Sequence, residues 1–290
     1  MNEPKTLRAK AALLSAFFLA FILVIWYTAT LPTKTAAPTL TAEQSEYAKL
    51  MGKDPQAGGG APSKSAFPTP AQMGSTIVGH LSDPFYDNGP NDKGIGLQIS
   101  YSLARVGLGF SLAALFAIPL GFLIGMSPLA YRALDPFIQL LKPISPLAWM
   151  PIALYTIKDS SISGIFVIFI CSVWPRLTNT AFGVAGVRRE WLNVSRTLQV
   201  TPMRKAIEVI LPAAAPTILT GMRISMGIAW LVIVAAEMLV GGTGIGYFVW
   251  NEWNNLSLTN VIFAILAIGL VGMALDLVFA KAQKAVTYAE

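Results

Sequence analysis

Long apolar runs separated by short polar connections dominate this chain. Ala11–Leu31, Ile99–Met126, Ile162–Phe182, Thr217–Val240 and Asn260–Phe279 each supply the roughly 20 apolar residues an α-helix needs to cross ~30 Å of hydrocarbon. Ala133–Ile157 is a sixth apolar run, interrupted by Pro143, Pro146 and Pro151. Proline in a span frees carbonyls that neighbouring helices or a polar cavity must satisfy, which places this run in the bundle interior. The pattern predicts an all-α integral membrane protein with six transmembrane helices. Its expected parts are an N-terminal helix at 1–31, an extended segment at 32–98 and a five-helix core at 99–290. Pro32–Gln98 is rich in proline, carries Gly58-Gly59-Gly60 and has no sustained period. It reads as irregular, with Thr33–Ala66 a linker and Pro84–Gly94 lying against the outer membrane surface.

One connection differs from the rest. Gly186–Pro212 (GVRREWLNVSRTLQVTPMRKAIEVILP) is basic and helix-forming. Glu190–Leu198 contains good helix formers, and Thr201 offers an N-cap oxygen with Pro202 at the first helical position. Met203, Ala206, Ile207 and Ile210 then fall on one face and Arg204, Lys205 and Glu208 on another. Pro212 removes a backbone donor and clashes with the preceding turn, so this second piece is expected to end there. A connector resting on lipid headgroups fits the same pattern as a docking site does.

Composition agrees with the spans: of 290 residues 54% are hydrophobic and 12% charged. The net charge of +6 has no solvated domain to act from, so nucleic acid is not an expected partner. A single cysteine, Cys171, excludes a disulfide framework within the chain, and with one histidine, His80, a Cys/His metal site is not expected. Positive charge orients the spans. Lys5, Arg8 and Lys10 precede the first, Arg132 follows the second, five arginines and lysines occupy the Gly186–Pro212 loop, and Lys281 and Lys284 follow the last. Gly241–Thr259 holds neither Lys nor Arg. Both termini and the Gly186–Pro212 loop are therefore expected in the cytoplasm, and 32–98 outside. Ala11–Leu31 has a signal peptide as its alternative reading, but its run is long for one and no small-x-small site follows.

No GxxxxGK[ST] motif occurs, so the chain carries no ATPase site of its own and no catalytic residue is assigned. Gly241–Gly246 (GGTGIG) lacks a lysine and a following helix start, and reads as a tight turn. Charge within a span costs about 2.5–3.5 kcal/mol on insertion scales, so each ionisable residue there needs a partner or water. Arg105 and Glu237 fall in the outer half and are expected to pair; Lys142 and Arg223 fall in the inner half. The alternative is that Arg105, Lys142 or Arg223 presents positive potential to a small anion. Ser102, Ser145, Trp149, Ser225 and Trp230 are candidate pore-lining residues whose plainer reading is helix packing, and Asp276 reads as structural. Gly107 with Gly109, Gly121 with Gly125, and Gly221 with Gly227 mark expected close helix contacts.

The loop and the spans around it resemble the permease subunits of type I ABC importers. The family loop reads Glu-Ala-Ala, three residues, Gly, nine residues, Ile, one residue, Leu-Pro. Here Leu211-Pro212 supply the end, Val209 stands at the Ile position, Gln199 at the Gly position, and Asn193-Val194-Ser195 at the Glu-Ala-Ala position. SLARVGLGF (Ser102–Phe110), PLGFLIGMS (Pro119–Ser127), LKPISPLAWMPIAL (Leu141–Leu154), GMRISMGIAWLVIVAAEML (Gly221–Leu239) and GTGIGYFVWN (Gly242–Asn251) are similar to the subgroup importing nitrate, bicarbonate, taurine and alkanesulfonates. The variant NVSRTLQVTP and the extended segment after the first span look most like nitrate permeases.

The resemblance implies a permease dimer in the bacterial inner membrane. Two cytoplasmic ATPases binding ATP and Mg, and an external or lipid-anchored substrate-binding protein, would complete it. Nitrate is the expected cargo, with bicarbonate or an organosulfonate as alternatives; a secondary transporter or channel is the rival from another class. With Gln199 in place of glycine, the bend need not use positive φ; with Asn193 in place of the acid, no ion pair is expected from that position. Swinging an access equilibrium from 1:99 to 99:1 takes about 5.5 kcal/mol. Exposed ion pairs supply about 0–1 kcal/mol each and buried apolar side chains about 1.5–3 kcal/mol each. Trp191, Leu192, Met203 and Ile207 are therefore expected to grip the ATPase, with Arg188, Asn193, Ser195, Arg196, Gln199, Leu211 and Pro212 completing the contact.

Overall fold

The computed structural model describes residues 5–31, 67–89 and 91–286; the Thr33–Ala66 linker lies outside them. The chain divides into two compact units, Met1–Gly79 and His80–Glu290.

In the first unit, α1 (Lys5–Ala29) carries an apolar span. Near its end, Trp26 Nε1 donates to Pro68 O at 2.9 Å and its ring meets Phe67 edge-on at 6.1 Å. Helix α2 (Pro70–Ser82), whose residues up to Gly79 belong to this unit, starts with a capping box: Thr69 Oγ1 accepts from Gln72 N, and Gln72 Oε1 accepts from Thr69 N.

The second unit is helical. Its elements are α3 (Ile95–Met126), α4 (Pro128–Leu141), α5 (Pro146–Ile157) and α6 (Ser160–Ala185), followed by α7 (Arg189–Thr197), α8 (Pro202–Val240), α9 (Ile245–Asn254) and α10 (Leu258–Val286). Among the described residues five helices are long and apolar enough to span a membrane. The expected sixth span is a bent pair, α4 and α5, meeting at 90°, and counting the pair as one span gives six. Pro143 lies in the break, where it has no N–H to continue α4, and Pro146 opens α5 at its first position, where a missing N–H costs nothing.

Helix α6 lies between α3 and α8. Glycines make the α3–α6 contact close: a methyl on Gly121 would sit 2.7 Å from Thr180 Cβ, and one on Gly125 2.6 Å from Ala181 O. Gly109 and Gly221 are similarly filled by α6, whereas Gly107 and Gly227 face open space and play no such part. Ala117, Ile124, Ile138, Leu177 and Ala181 form one apolar core, and Val184, Val187, Ile210, Ala214 and Ile218 another, nearer α7.

Pro212 does not end its helix, contrary to expectation. Ala206–Ile210 is one turn of π-helix, and Leu211 N–H donates to Ala206 O, five residues back. The wider turn makes room for the proline ring, and α8 runs unbroken from Pro202 to Val240. Thr201 occupies the N-cap position but makes no side-chain cap hydrogen bond.

Candidate functional site

At the α3 start, helices α3 and α8 supply the side chains that hold the Gly241–Gly246 loop. Gly241 (φ +78°) and Gly242 (φ +96°) turn the chain through conformations that L side chains resist. The loop runs directly into α9, so a helix N-terminus does follow it, contrary to the expectation from sequence. Its free N–H groups are taken by neighbouring side chains: Gly244 N–H donates to Gln98 Oε1 (2.6 Å), Ile245 N–H to Ser102 Oγ (2.9 Å) and Gly246 N–H to Glu237 Oε2 (3.1 Å). A carboxylate suits this place because the helix dipole and the unpaired donors both favour negative charge.

Glu237 also accepts from Ser102 Oγ (2.7 Å to Oε2) and from Arg105 Nη1 (2.7 Å to Oε1). Arg105 Nη1 reaches Thr243 O at 2.5 Å and its Nη2 reaches Ser161 Oγ at 3.2 Å. Arg105 and Glu237 are 15% and 4% exposed. A pair this dry holds only because extra hydrogen bonds satisfy the remaining lone pairs and protons. The loop must be glycine here: a Cβ on Gly244 would strike the Glu237 carboxylate, and one on Gly246 the carbonyl of Val234. Arg105, Glu237 and Ser102 therefore build a clasp, and none of them is left to face a solute alone.

Of the other residues proposed to meet a solute, the structure gathers three. Lys142, Ser145 and Trp149 line a cavity of about 260 Å³ with Pro143, Ile144, Pro146, Cys171, Trp174, Pro175 and Ile228. It sits at the α4–α5 break and has no carboxylate in its wall. The remaining three are engaged elsewhere. Arg223 makes a two-pronged pair with Asp276 (Nε–Oδ1 2.6 Å, Nη2–Oδ2 2.6 Å). Trp230 Nε1 donates to Ile268 O at 3.0 Å. Ser225 Oγ accepts from Arg176 Nε at 2.6 Å.

Arg176 is missing from the sequence-derived set, although a lone arginine in the Ile162–Phe182 run is itself a signal. It is fully buried, with its guanidinium 3.5 Å from the Phe110 ring centroid. Nη1 donates to Phe110 O, whereas Nη2 has no partner. Ser172 Oγ and Thr180 Oγ1, one turn to either side on α6, are buried and unpartnered too.

At the opposite end, α7 and the first turns of α8 form the 186–212 loop. Leu192 packs into the Val184–Ile218 core, and buried Ser195 Oγ donates to Trp191 O at 2.7 Å. Leu192 anchors α7 to that core, whereas the Ser195 bond is internal to α7. Trp191 (46% exposed), Met203 (72%) and Ile207 (55%) face outward. Asn193, Arg196, Gln199, Leu211 and Pro212 are also exposed. Arg188 lies 5.6 Å over the Trp191 ring, within cation–π range. Helix α7 ends in a Schellman motif: Val200 N–H donates to Ser195 O and Gln199 N–H to Arg196 O, both at 3.0 Å. That motif needs a left-handed residue, and Gln199 takes φ +51°. The bend, which need not have used positive φ without a glycine, does use it. Two helix-end carbonyls, of Ser195 and Arg196, gain donors in exchange for the strained backbone. Beside the loop, Met203, Ala206, Ile207 and Leu211 face Ile118, Phe122 and Leu123 of α3 across an apolar groove of about 740 Å³.

A family model described as a binding-protein-dependent transport system inner membrane component matches residues 117–287. The chain is 46% identical over 226 residues to the nitrate import permease protein NrtB of Synechocystis sp., covering 78% of this chain and 82% of that protein. It is 44% identical over 205 residues to the bicarbonate transport system permease protein CmpB of the same organism, covering 70% and 73%. Among solved structures, an inward-facing form of the MetNI methionine ABC transporter is similar with a TM-score of 0.59 at 16% identity, covering 65% of this chain and 94% of that one. At that identity the likeness speaks for the fold alone.

Proposed function

The chain belongs to the binding-protein-dependent transport system inner membrane components, and from that premise we propose that it is the permease subunit of an ATP-driven nitrate importer. The observation that carries the cargo is the 46% identity to a nitrate import permease across 82% of that protein's length. In this reading the chain pairs with a second copy in the inner membrane, its termini and 186–212 loop in the cytoplasm. Two ATPases that bind ATP and Mg dock on the loop, and an external binding protein delivers the anion at the Gly241–Gly246 end. Exposed Trp191, Met203 and Ile207 supply the apolar grip, and Leu192 and Ser195 keep α7 rigid so that force is transmitted rather than absorbed. The Lys142 cavity, free of carboxylates and lying at a broken helix, is the proposed stopping place for the anion.

Reconstitution with the cognate ATPases and binding protein tests this. Labelled nitrate should enter proteoliposomes only with ATP, and bicarbonate in excess should compete weakly. The 44% identity to a bicarbonate permease makes bicarbonate the second reading; ATP-driven bicarbonate uptake that nitrate fails to inhibit would replace nitrate with it.

A further inference from the structure

Three arginines of the second unit lie within the apolar spans, and two of them meet acids: Arg105 pairs with Glu237 and Arg223 with Asp276. Arg176 has no acidic partner among the described residues, yet it is the more deeply buried, at 0% exposure. An arginine keeps its proton in proteins, so a full positive charge stands in the dry space between α3, α6 and α8. A brace from α6 to Phe110 and Ser225 would need only neutral donors. The charge and the idle Nη2 exceed what bracing requires.

The position of that charge relative to the cavity is informative. Arg176 follows Pro175 directly, and Ser225, which it grips, precedes Ile228 by three residues, about one turn. Pro175 and Ile228 both form the cavity wall that faces Lys142, Ser145 and Trp149. The guanidinium therefore stands behind that wall, about one helix width or ~10 Å from the cavity. Arg176 has no exposed surface, so bulk water screens it weakly.

We infer that Arg176 is an anion-selectivity residue, holding the Lys142 cavity at positive potential from behind its Pro175–Ile228 wall. This rests on the anion-import reading above. At ~10 Å and an effective dielectric of ~20, one unit charge strengthens monovalent anion binding by about ten- to twentyfold. A small inorganic oxyanion gains this in full, whereas a zwitterion such as an aminosulfonate gains little.

The test uses the purified permease–ATPase complex in nanodiscs, titrated with sodium nitrate by calorimetry, beside ATP-driven uptake in proteoliposomes. Arg176→Met should raise the nitrate dissociation constant about tenfold or more while leaving the thermal midpoint of the complex unchanged or higher. Arg176→Lys, which keeps the charge, should stay within about threefold of wild type. Ser225→Asp puts a neutralising carboxylate against Nε with the arginine still in place, and should weaken nitrate as Arg176→Met does. Unchanged nitrate binding in Arg176→Met or in Ser225→Asp overturns the inference. So does Arg176→Lys falling as far as Arg176→Met, or failure of both Arg176→Met and Ser225→Asp to assemble, since either marks a purely structural brace. A wild-type complex that imports no inorganic anion overturns the import reading itself, which is a separate result.

Discussion

The Gly241–Gly246 clasp and the 186–212 loop are both polar stretches between apolar helices, but their side chains are employed in opposite ways. In the clasp, Gln98, Ser102, Arg105 and Glu237 answer three consecutive backbone donors and one another, all within the chain. The loop carries an exposed ion pair one turn apart, Arg204 with Glu208 at 2.8 Å, while Trp191, Met203 and Ile207 stand out from the surface. A buried polar group left unmatched is costly, so the clasp must complete itself during folding. Exposed apolar side chains cost little in the monomer and gain when something covers them. The first region is closed within the chain, and the second leaves apolar side chains open.

This contrast can be broken at either end. The largest expected effect is at the loop: Met203→Asp with Ile207→Asp should remove about 3–6 kcal/mol from ATPase binding, at about 1.5–3 kcal/mol per buried apolar side chain. The permease's own thermal midpoint should not move, and co-purification with the ATPase reads the loss; intact capture would end the apolar-grip proposal. Next comes Glu237→Leu, which strands Arg105 in a buried site and should cost about 3–5 kcal/mol of permease stability. Adding Arg105→Leu should recover most of that, and a double-mutant cycle of detergent melting curves measures how much. A clasp whose single and double variants melt alike would be a surface pair, not a buried one. Smaller, and of opposite sign, is Gln199→Gly. It relieves about 1–2 kcal/mol of left-handed strain and adds about 0.5–1 kcal/mol of unfolded-chain freedom, so the permease should gain roughly 0.5–1 kcal/mol. The smallest is Arg204→Ala, where an exposed i,i+4 pair is worth about 0.3–0.5 kcal/mol and no shift beyond that should appear in the melting midpoint.

Much of the fold is legible in the sequence because membrane insertion depends on a local sum of apolar residues. The spans beginning near Ala11, Ile99, Ile162, Thr217 and Asn260 each coincide with a helix. Failures arise where a neighbour decides. Pro212 is a helix breaker by its own chemistry, but a π-turn at Ala206–Ile210 absorbs it. Gln199 is a poor residue for positive φ, yet the Schellman bonds to Ser195 and Arg196 hold it there. Arg176 stands out in sequence as a lone arginine in an apolar run, but what it touches depends on residues 49 and 66 positions away, Ser225 and Phe110. Of the candidate solute-facing residues, Lys142, Ser145 and Trp149 meet at one cavity. Arg223, Ser225 and Trp230 resemble them in type but are committed to Asp276, Arg176 and Ile268.

The sequence alone determined that this chain is helical, that it lives in a bilayer and that its long basic loop is amphipathic, since these follow from composition and period along a single strand of residues. It also determined the family, through motifs read in order. The expected Arg105–Glu237 pair, 132 positions apart, is formed, but tertiary structure alone decided which charges are left unmatched, because no local pattern shows that Arg176 meets no acid. Whether a buried charge is silent or exerts a field depends on which helix faces it, and that is settled only when α3, α6 and α8 close on one another.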